Sequence, residues 1–224
     1  MRMFAKVLSV LLHPLFMPLY TVWLALEVDP HLAYFLRADG RWLMLAMLAL
    51  MTVAFPITSA LLLQRSGLVG SLEMHTRQER IAPYAMTLIY YGMAMYLMSR
   101  TPLHPAVLAL FIGAWSALAL TTLITLRWKI SAHMVGIGGA IGGLFAISTI
   151  HAIPMFPLLA ASIVLAGLLG TARLLTSDHT QGQVLAGAVL GALCTYFPVV
   201  LGWTIRCPSE PGLLPVPRIT QGIA

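Results

Sequence analysis

Residues 130–172 read ISAHMVGIGGAIGGLFAISTIHAIPMFPLLAASIVLAGLLGTA, a run without one Asp, Glu, Lys or Arg. A helix needs about 20 largely apolar residues to cross the hydrocarbon layer of a bilayer. This run is twice as long as that. Near its middle stand His151, Pro154 and Pro157, and proline removes a backbone donor and interrupts a helix. The stretch therefore predicts two membrane-spanning helices joined by a tight hairpin.

Working outward, five more windows lack all four charged residue types: residues 7–26, 42–63, 81–99, 105–126 and 184–205. Each has the length of a single span. No ten-residue alternating pattern points to a barrel, and unpaired backbone is intolerable in lipid. The expected fold is all-α, a polytopic integral-membrane bundle of about seven transmembrane helices. Composition agrees, because 59% of the 224 residues are apolar and only 9% are charged, against roughly a quarter charged in a soluble domain. These values exclude a water-soluble globule and leave no room for a second domain. Residues 1–207 read as one transmembrane domain, and 208–224 as a polar, proline-rich, loosely ordered tail.

Arg2 and Lys6 ahead of the first window imitate a secretory signal, but His13, Pro14 and Pro18 interrupt it and no small-residue cleavage site follows. The window reads as a retained span. Two cysteines, Cys194 in an apolar run and Cys207 near the tail, supply neither a disulfide framework nor a cysteine metal site. The net charge of +6 comes from basic residues scattered singly between apolar runs. A nucleic-acid binder would cluster them on one face, so anionic lipid head groups or a phosphorylated substrate are the expected partners, together with the bilayer. Glycines repeat at four-residue spacing, Gly138 with Gly142, Gly139 with Gly143 and Gly187 with Gly191, which predicts closely packed helices.

Parity places the loops after the second, fourth and sixth spans on one side, with the amino terminus. Those loops hold Glu73, His75, Arg77, Glu79 and Arg80, then Arg127, Lys129, Ser131 and His133, then Arg173, Asp178 and His179. The opposite side carries Glu27, Asp29, His31, Arg37, Asp39, Arg41 and Arg100, which read as ordinary solvated connection. Eight basic residues against five would put the motif side in the cytoplasm. Setting aside Arg77, Arg80, Lys129 and Arg173 as substrate ligands reverses the balance to four against five, leaving orientation open. The expected location is the bacterial inner (cytoplasmic) membrane.

His133 and His179 each open a span with a basic residue nearby. Arginine grips phosphate oxygens through paired hydrogen bonds, and histidine attacks phosphorus or moves a proton near neutral pH. Their combination points to phosphoryl chemistry. His13, His104 and His151 read as structural or interfacial, and Asp178 with Thr180 as a cap for the last helix.

The order and spacing of these elements resemble the type 2 phosphatidic acid phosphatase superfamily, with its Lys-six-residues-Arg-Pro, Pro-Ser-Gly-His and Ser-Arg-five-residues-His-three-residues-Asp motifs. The third element here is Ala172, Arg173, five residues, His179, three residues, Gln183; the second is Ile130, Ser131, Ala132, His133. The first is Arg77, Gln78, Glu79, Arg80, Ile81, Ala82, Pro83, with Glu73 where the family has lysine. The resemblance covers residues 73–191. It implies that His179 attacks phosphorus, that Arg173 and Arg77 or Arg80 hold phosphoryl oxygens, that His133 protonates the leaving oxygen and that Ser131 donates a hydrogen bond. Gln183 falls where the family's Asp orients the nucleophile, Lys129 offers a cation in place of the missing lysine, and Ala132 replaces a glycine.

The implied activity is hydrolysis of a lipid phosphate or polyprenyl pyrophosphate through a phosphohistidine, as a phosphoric monoester or diphosphate hydrolase of phospholipid metabolism needing no cofactor and no metal. The competing reading, favoured by Gln183 and Glu73, is a noncatalytic phospholipid binder or transporter on the same scaffold. A metal or haem centre built from the histidines is disfavoured, since His151 lies at the opposite end from His133 and His179.

Overall fold

The computed structural model describes residues 2–34, 36, 38–70, 77–176 and 179–206, and all regular structure among them is helical. Glu73 and His75, Asp178, Cys207 and the tail at 208–224 lie outside the described residues. The first apolar window is divided rather than continuous. Helix α1 (Arg2–Leu11) ends ahead of His13 and Pro14, and α2 (Met17–Val28) starts with Pro18 in its first turn, where a missing N–H leaves no bond unmade. At 12 residues, α2 is about 18 Å long, shorter than a bilayer core. Among the described residues six further helices are long and apolar enough to cross a membrane, with α2 a shorter apolar companion, in keeping with the expected all-α membrane bundle.

A short helix α3 (Pro30–Tyr34) leads to the second span, Asp39–Arg65. That span is α4 (Ala38–Ala49) and α5 (Phe55–Arg65) joined without a break by a π-helical turn at Leu50–Ala54. The backbone N–H of Phe55 reaches back five residues to Leu50. Pro56 then falls in the first turn of α5, where it withholds no needed donor. The remaining helices are α6 (Arg77–Ser99), α7 (Pro105–Thr125), α8 (Ala132–His151), α9 (Phe156–Leu175) and α10 (Gln181–Arg206). The long central run folds as the hairpin that its punctuation predicts. Ala152 takes a left-handed φ of 52°, the Ser148 hydroxyl donates to the Ile153 carbonyl at 2.7 Å, and Pro157 opens α9.

Helix α8 is the centre of the bundle, with 56% of its apolar window buried against 17% for α9. Its closest partner is α10, and the glycine spacing explains why. A Cβ on Gly138 would strike the Ala188 carbonyl, and one on Gly191 would strike that of Val135, so only glycine permits this approach. Lipid tails are as apolar as leucine, so the attraction between these helices comes from dispersion at short range and from buried hydrogen bonds. Thr195 supplies one, donating from α10 to the Gly139 carbonyl of α8 at 2.7 Å. The other side of α10 presents Leu185, Val189, Leu193, Phe197 and Leu201 outward at four-residue spacing, a lipid-facing stripe.

The end of the bundle read as ordinary connection departs from that reading at Asp29, which is fully buried. Its position between α2 and α3 explains the burial. Oδ1 caps α3 by accepting the His31 backbone N–H at 2.9 Å, while Oδ2 meets Nδ1 of His151 at the end of α8.

Candidate functional site

Four helix ends and one helix break build a cavity of about 1100 Å³ at the opposite end from Asp29. Arg80 comes from the first turn of α6, His133 from the start of α8, Arg173 from the last turn of α9 and His179 from the approach to α10; all four line this cavity. Short-range packing of α8 on α10 fixes the two histidine-bearing ends together, helped by the backbone N–H of Ser131 donating to the Gln183 carbonyl at 3.4 Å.

His179 is buried, and its orientation follows from hydrogen-bond logic. The backbone N–H of Thr180 donates to Oε1 of Gln183 at 3.1 Å, which fixes that atom as the amide oxygen. The same oxygen lies 3.2 Å from Nδ1 of His179. An amide oxygen only accepts, so Nδ1 carries the proton and Nε2 keeps a lone pair. Burial, and then the charges of Arg173 and Arg80, push the pKa of His179 down to about 4, against a smaller upward pull from Gln183. Near neutral pH the imidazole is uncharged and nucleophilic.

Arg80 is 8% exposed and hydrogen-bonded to Tyr84, one turn further along α6. Arg173 lies within electrostatic reach of His13, Tyr84, His133 and His179. The buried Arg80 and the half-buried Arg173 line the same cavity and give it the positive charge that suits an anion. The hydroxyls of Ser9 and Thr121 also line it, and neither makes a hydrogen bond among the described residues.

His133 is engaged differently from the sequence expectation. Its Nε2 lies 3.1 Å from the carbonyl oxygen of Ser9 in α1, so Nε2 is the protonated nitrogen and the carbonyl holds that proton. The ring meets that of His13 edge to face at 5.2 Å. Of the other expected ligands, Lys129 acts on His179 through its charge but does not line the cavity. Ser131 is fully buried outside the lining, and its hydroxyl makes no hydrogen bond among the described residues. Gln183 acts through His179. Arg77 opens α6, and its side chain lies outside the described residues.

Lys6, Ser9, His13 and Tyr84 are cavity residues that the sequence reading missed. Two signals pointed toward them. His13-Pro14 breaks an apolar window at the depth where a helix end can supply polar groups, and Tyr84 follows Arg80 at the four-residue spacing that shares a helix face. His13 Nδ1 accepts the Leu15 N–H at 3.4 Å, which places its proton on Nε2.

Away from the charged end the lining turns apolar, through Val10, Ile57, Leu61, Tyr91 and Leu118. Val10, Ile57 and Leu61 are also exposed on the outer surface, at 65%, 42% and 40%. The cavity thus borders lipid between α1 and α5. Comparison of the chain with family models, characterised proteins and solved structures returns no match.

Proposed function

We propose that this integral-membrane protein hydrolyses a lipid phosphate or diphosphate through a phosphohistidine on His179, the reading that the resemblance to the type 2 phosphatidic acid phosphatases implies. The observation that carries it is the state of His179. It is buried, neutral, held at Nδ1 by Gln183 and flanked by Arg80 and Arg173 in a cavity with an apolar, lipid-bordering end.

In this mechanism the phosphoryl oxygens lie against Arg80 and Arg173, which offset charge as it spreads over them. The Nε2 lone pair of His179 attacks phosphorus. The bond from phosphorus to the leaving oxygen breaks, and its electron pair stays on that oxygen. His133, brought to the imidazolium by a proton taken up with the anionic substrate, delivers its Nε2 proton there in exchange for the Ser9 contact and returns to neutral imidazole. Water then gives a proton back to His133 and attacks phosphorus. The N–P bond breaks, inorganic phosphate leaves, and His179 regains its lone pair. Hydrocarbon chains of the substrate occupy the apolar end and extend into the bilayer between α1 and α5. The bacterial inner membrane is the location this reading assigns.

The second reading, a lipid-phosphate binder without turnover, is favoured by the neutral amide at position 183 and by the commitment of His133 to Ser9. Phosphate release by the purified protein from long-chain phosphatidate, phosphatidylglycerophosphate and a polyprenyl diphosphate separates the two. Release that disappears in His179→Ala supports the hydrolase; tight lipid binding without release supports the binder.

A further inference from the structure

At the end of the bundle away from the cavity, three elements bring metal-ligating atoms together. Asp29 ends α2, His31 lies in α3, and His151 is the last residue of α8. Asp29 Oδ1 lies 3.1 Å from His31 Nδ1, and its Oδ2 contacts His151 Nδ1. One ligand atom from each residue falls within 4.8 Å of the others. His133 and His151 sit at opposite ends of α8, about 27 Å apart at about 1.5 Å per residue, so this cluster is separate from the phosphate cavity.

The burial of Asp29 calls for compensation. A fully buried carboxylate is costly unless it meets positive charge. Among the described residues its ion-pair partners are two imidazoles, while Arg41 is paired with Glu27. Imidazole carries full charge only when protonated, whereas a divalent cation in the middle of the three groups would neutralise the carboxylate at any pH that leaves the imidazoles free to ligate.

We propose that Asp29, His31 and His151 bind one divalent transition-metal ion of the zinc class. Two imidazole nitrogens and one carboxylate oxygen are the donors that zinc accepts, at about 2.0–2.2 Å each. A tetrahedral ion with such bonds holds its ligand atoms about 3.3 Å apart, a spacing that this cluster reaches with small side-chain adjustment. His104 stacks edge to face on His151 at 5.0 Å but is not a fourth ligand. Its Nδ1 accepts the Ala106 N–H at 3.2 Å, which puts its proton on Nε2. The His31 side chain is 64% exposed, so ions enter from the aqueous side and water completes the shell. The ion ties the α2–α3 junction to the end of α8, a structural role independent of the phosphoryl chemistry.

The test uses full-length protein in nonionic detergent, purified through a tag without histidine, stripped with chelator and dialysed against zinc. Metal content, competition with a chromophoric zinc chelator and thermal unfolding are measured. The expected result is one zinc per chain and a melting temperature that rises on zinc addition. His31→Ala alters an exposed side chain, so the variant folds, and it should weaken zinc binding at least tenfold; His31→Cys should restore it. Asp29→Asn and His151→Gln should bind no zinc. A variant carrying His133→Gln and His179→Gln should bind as the parent does. Substoichiometric zinc in the parent, unchanged affinity in His31→Ala, or loss of zinc in the His133 and His179 variant would each overturn the proposal.

Discussion

The side-chain oxygen of Gln183 receives the Nδ1 proton of His179 at 3.2 Å, one helical turn along the chain. This bond sets which nitrogen faces chemistry, and it does so without a negative charge. A carboxylate in the same place would both fix the tautomer and stabilise the cationic imidazole formed as nitrogen bonds phosphorus. Removing such a carboxylate from a serine-protease triad costs about 10⁴ in rate.

Gln183→Asp should therefore raise phosphate release by at least about tenfold, or roughly 1.4 kcal/mol of barrier. It should also move the acid limb of the kcat/KM profile. In the parent, His179 holds its lone pair down to about pH 4, and activity is lost only as pH falls through that value. A carboxylate raises the imidazole pKa, so the variant should lose activity at higher pH than the parent on the same substrate. An unchanged rate and limb in a folded variant would remove position 183 from the mechanism.

His179→Ala should abolish release, and Arg173→Ala should lower kcat by at least about 100-fold, the scale of losing one donor aimed at a developing oxyanion. Orthovanadate, which adopts five-coordinate geometry, should inhibit the parent and bind poorly to Arg173→Ala. Equal vanadate inhibition of the two proteins would place the phosphoryl site elsewhere.

Because the apolar end of the cavity borders lipid at Ile57 and Leu61, chain length should govern substrate choice. Each buried methylene is worth about 0.8 kcal/mol, so long-chain lipid phosphates should exceed a soluble aryl phosphate in kcat/KM by orders of magnitude. Ile57→Trp should lower the long-chain value about tenfold or more and leave the aryl phosphate within about twofold. A parallel loss on both substrates would contradict a chain-binding groove.

Gly138→Val should destabilise the protein by about 1–3 kcal/mol or more, since the new side chain meets the Ala188 backbone, which cannot rotate away. Gly167→Ala in α9 is the contrast. Nothing lies within 4 Å of its added Cβ, so it should be neutral or stabilising by up to about 1 kcal/mol. Thermal unfolding in one detergent compares them directly.

With Cys194 and Cys207 replaced, single cysteines at Lys129 and Arg100, which flank the two ends of α7, should react with an impermeant thiol reagent from opposite sides of sealed vesicles. Reaction of both from one side would mean that α7 does not cross the bilayer.

The windows free of charge marked the helices, and the position of His151, Pro154 and Pro157 marked the hairpin. Helix existence in a membrane depends on local chain properties, namely apolar length and the absence of backbone donors at proline. The same local logic left the π turn before Pro56 invisible. Whether a proline separates two helices, as Pro14 does, or is absorbed within one span, as Pro56 is, depends on the neighbours packed around it.

Motif spacing singled out Arg80, His133, Arg173 and His179, because residues at helix ends on alternate spans share a side of the membrane by parity alone. It missed Lys6, Ser9 and His13, which reach the cavity because α1 folds back against α9, and Tyr84, which shares the Arg80 face of α6. It also could not distinguish the bond of His133 to Ser9 from an open proton donor. Sequence by itself determined a helical membrane bundle and one polar face. Tertiary structure decided that Asp29 is buried between two histidines, that Ser131 stands outside the cavity lining, and that Gln183 sets the tautomer of His179. Those outcomes depend on contacts between segments distant in sequence, or on side-chain rotamers that those contacts select, and neither is encoded in the period or length of any one helix.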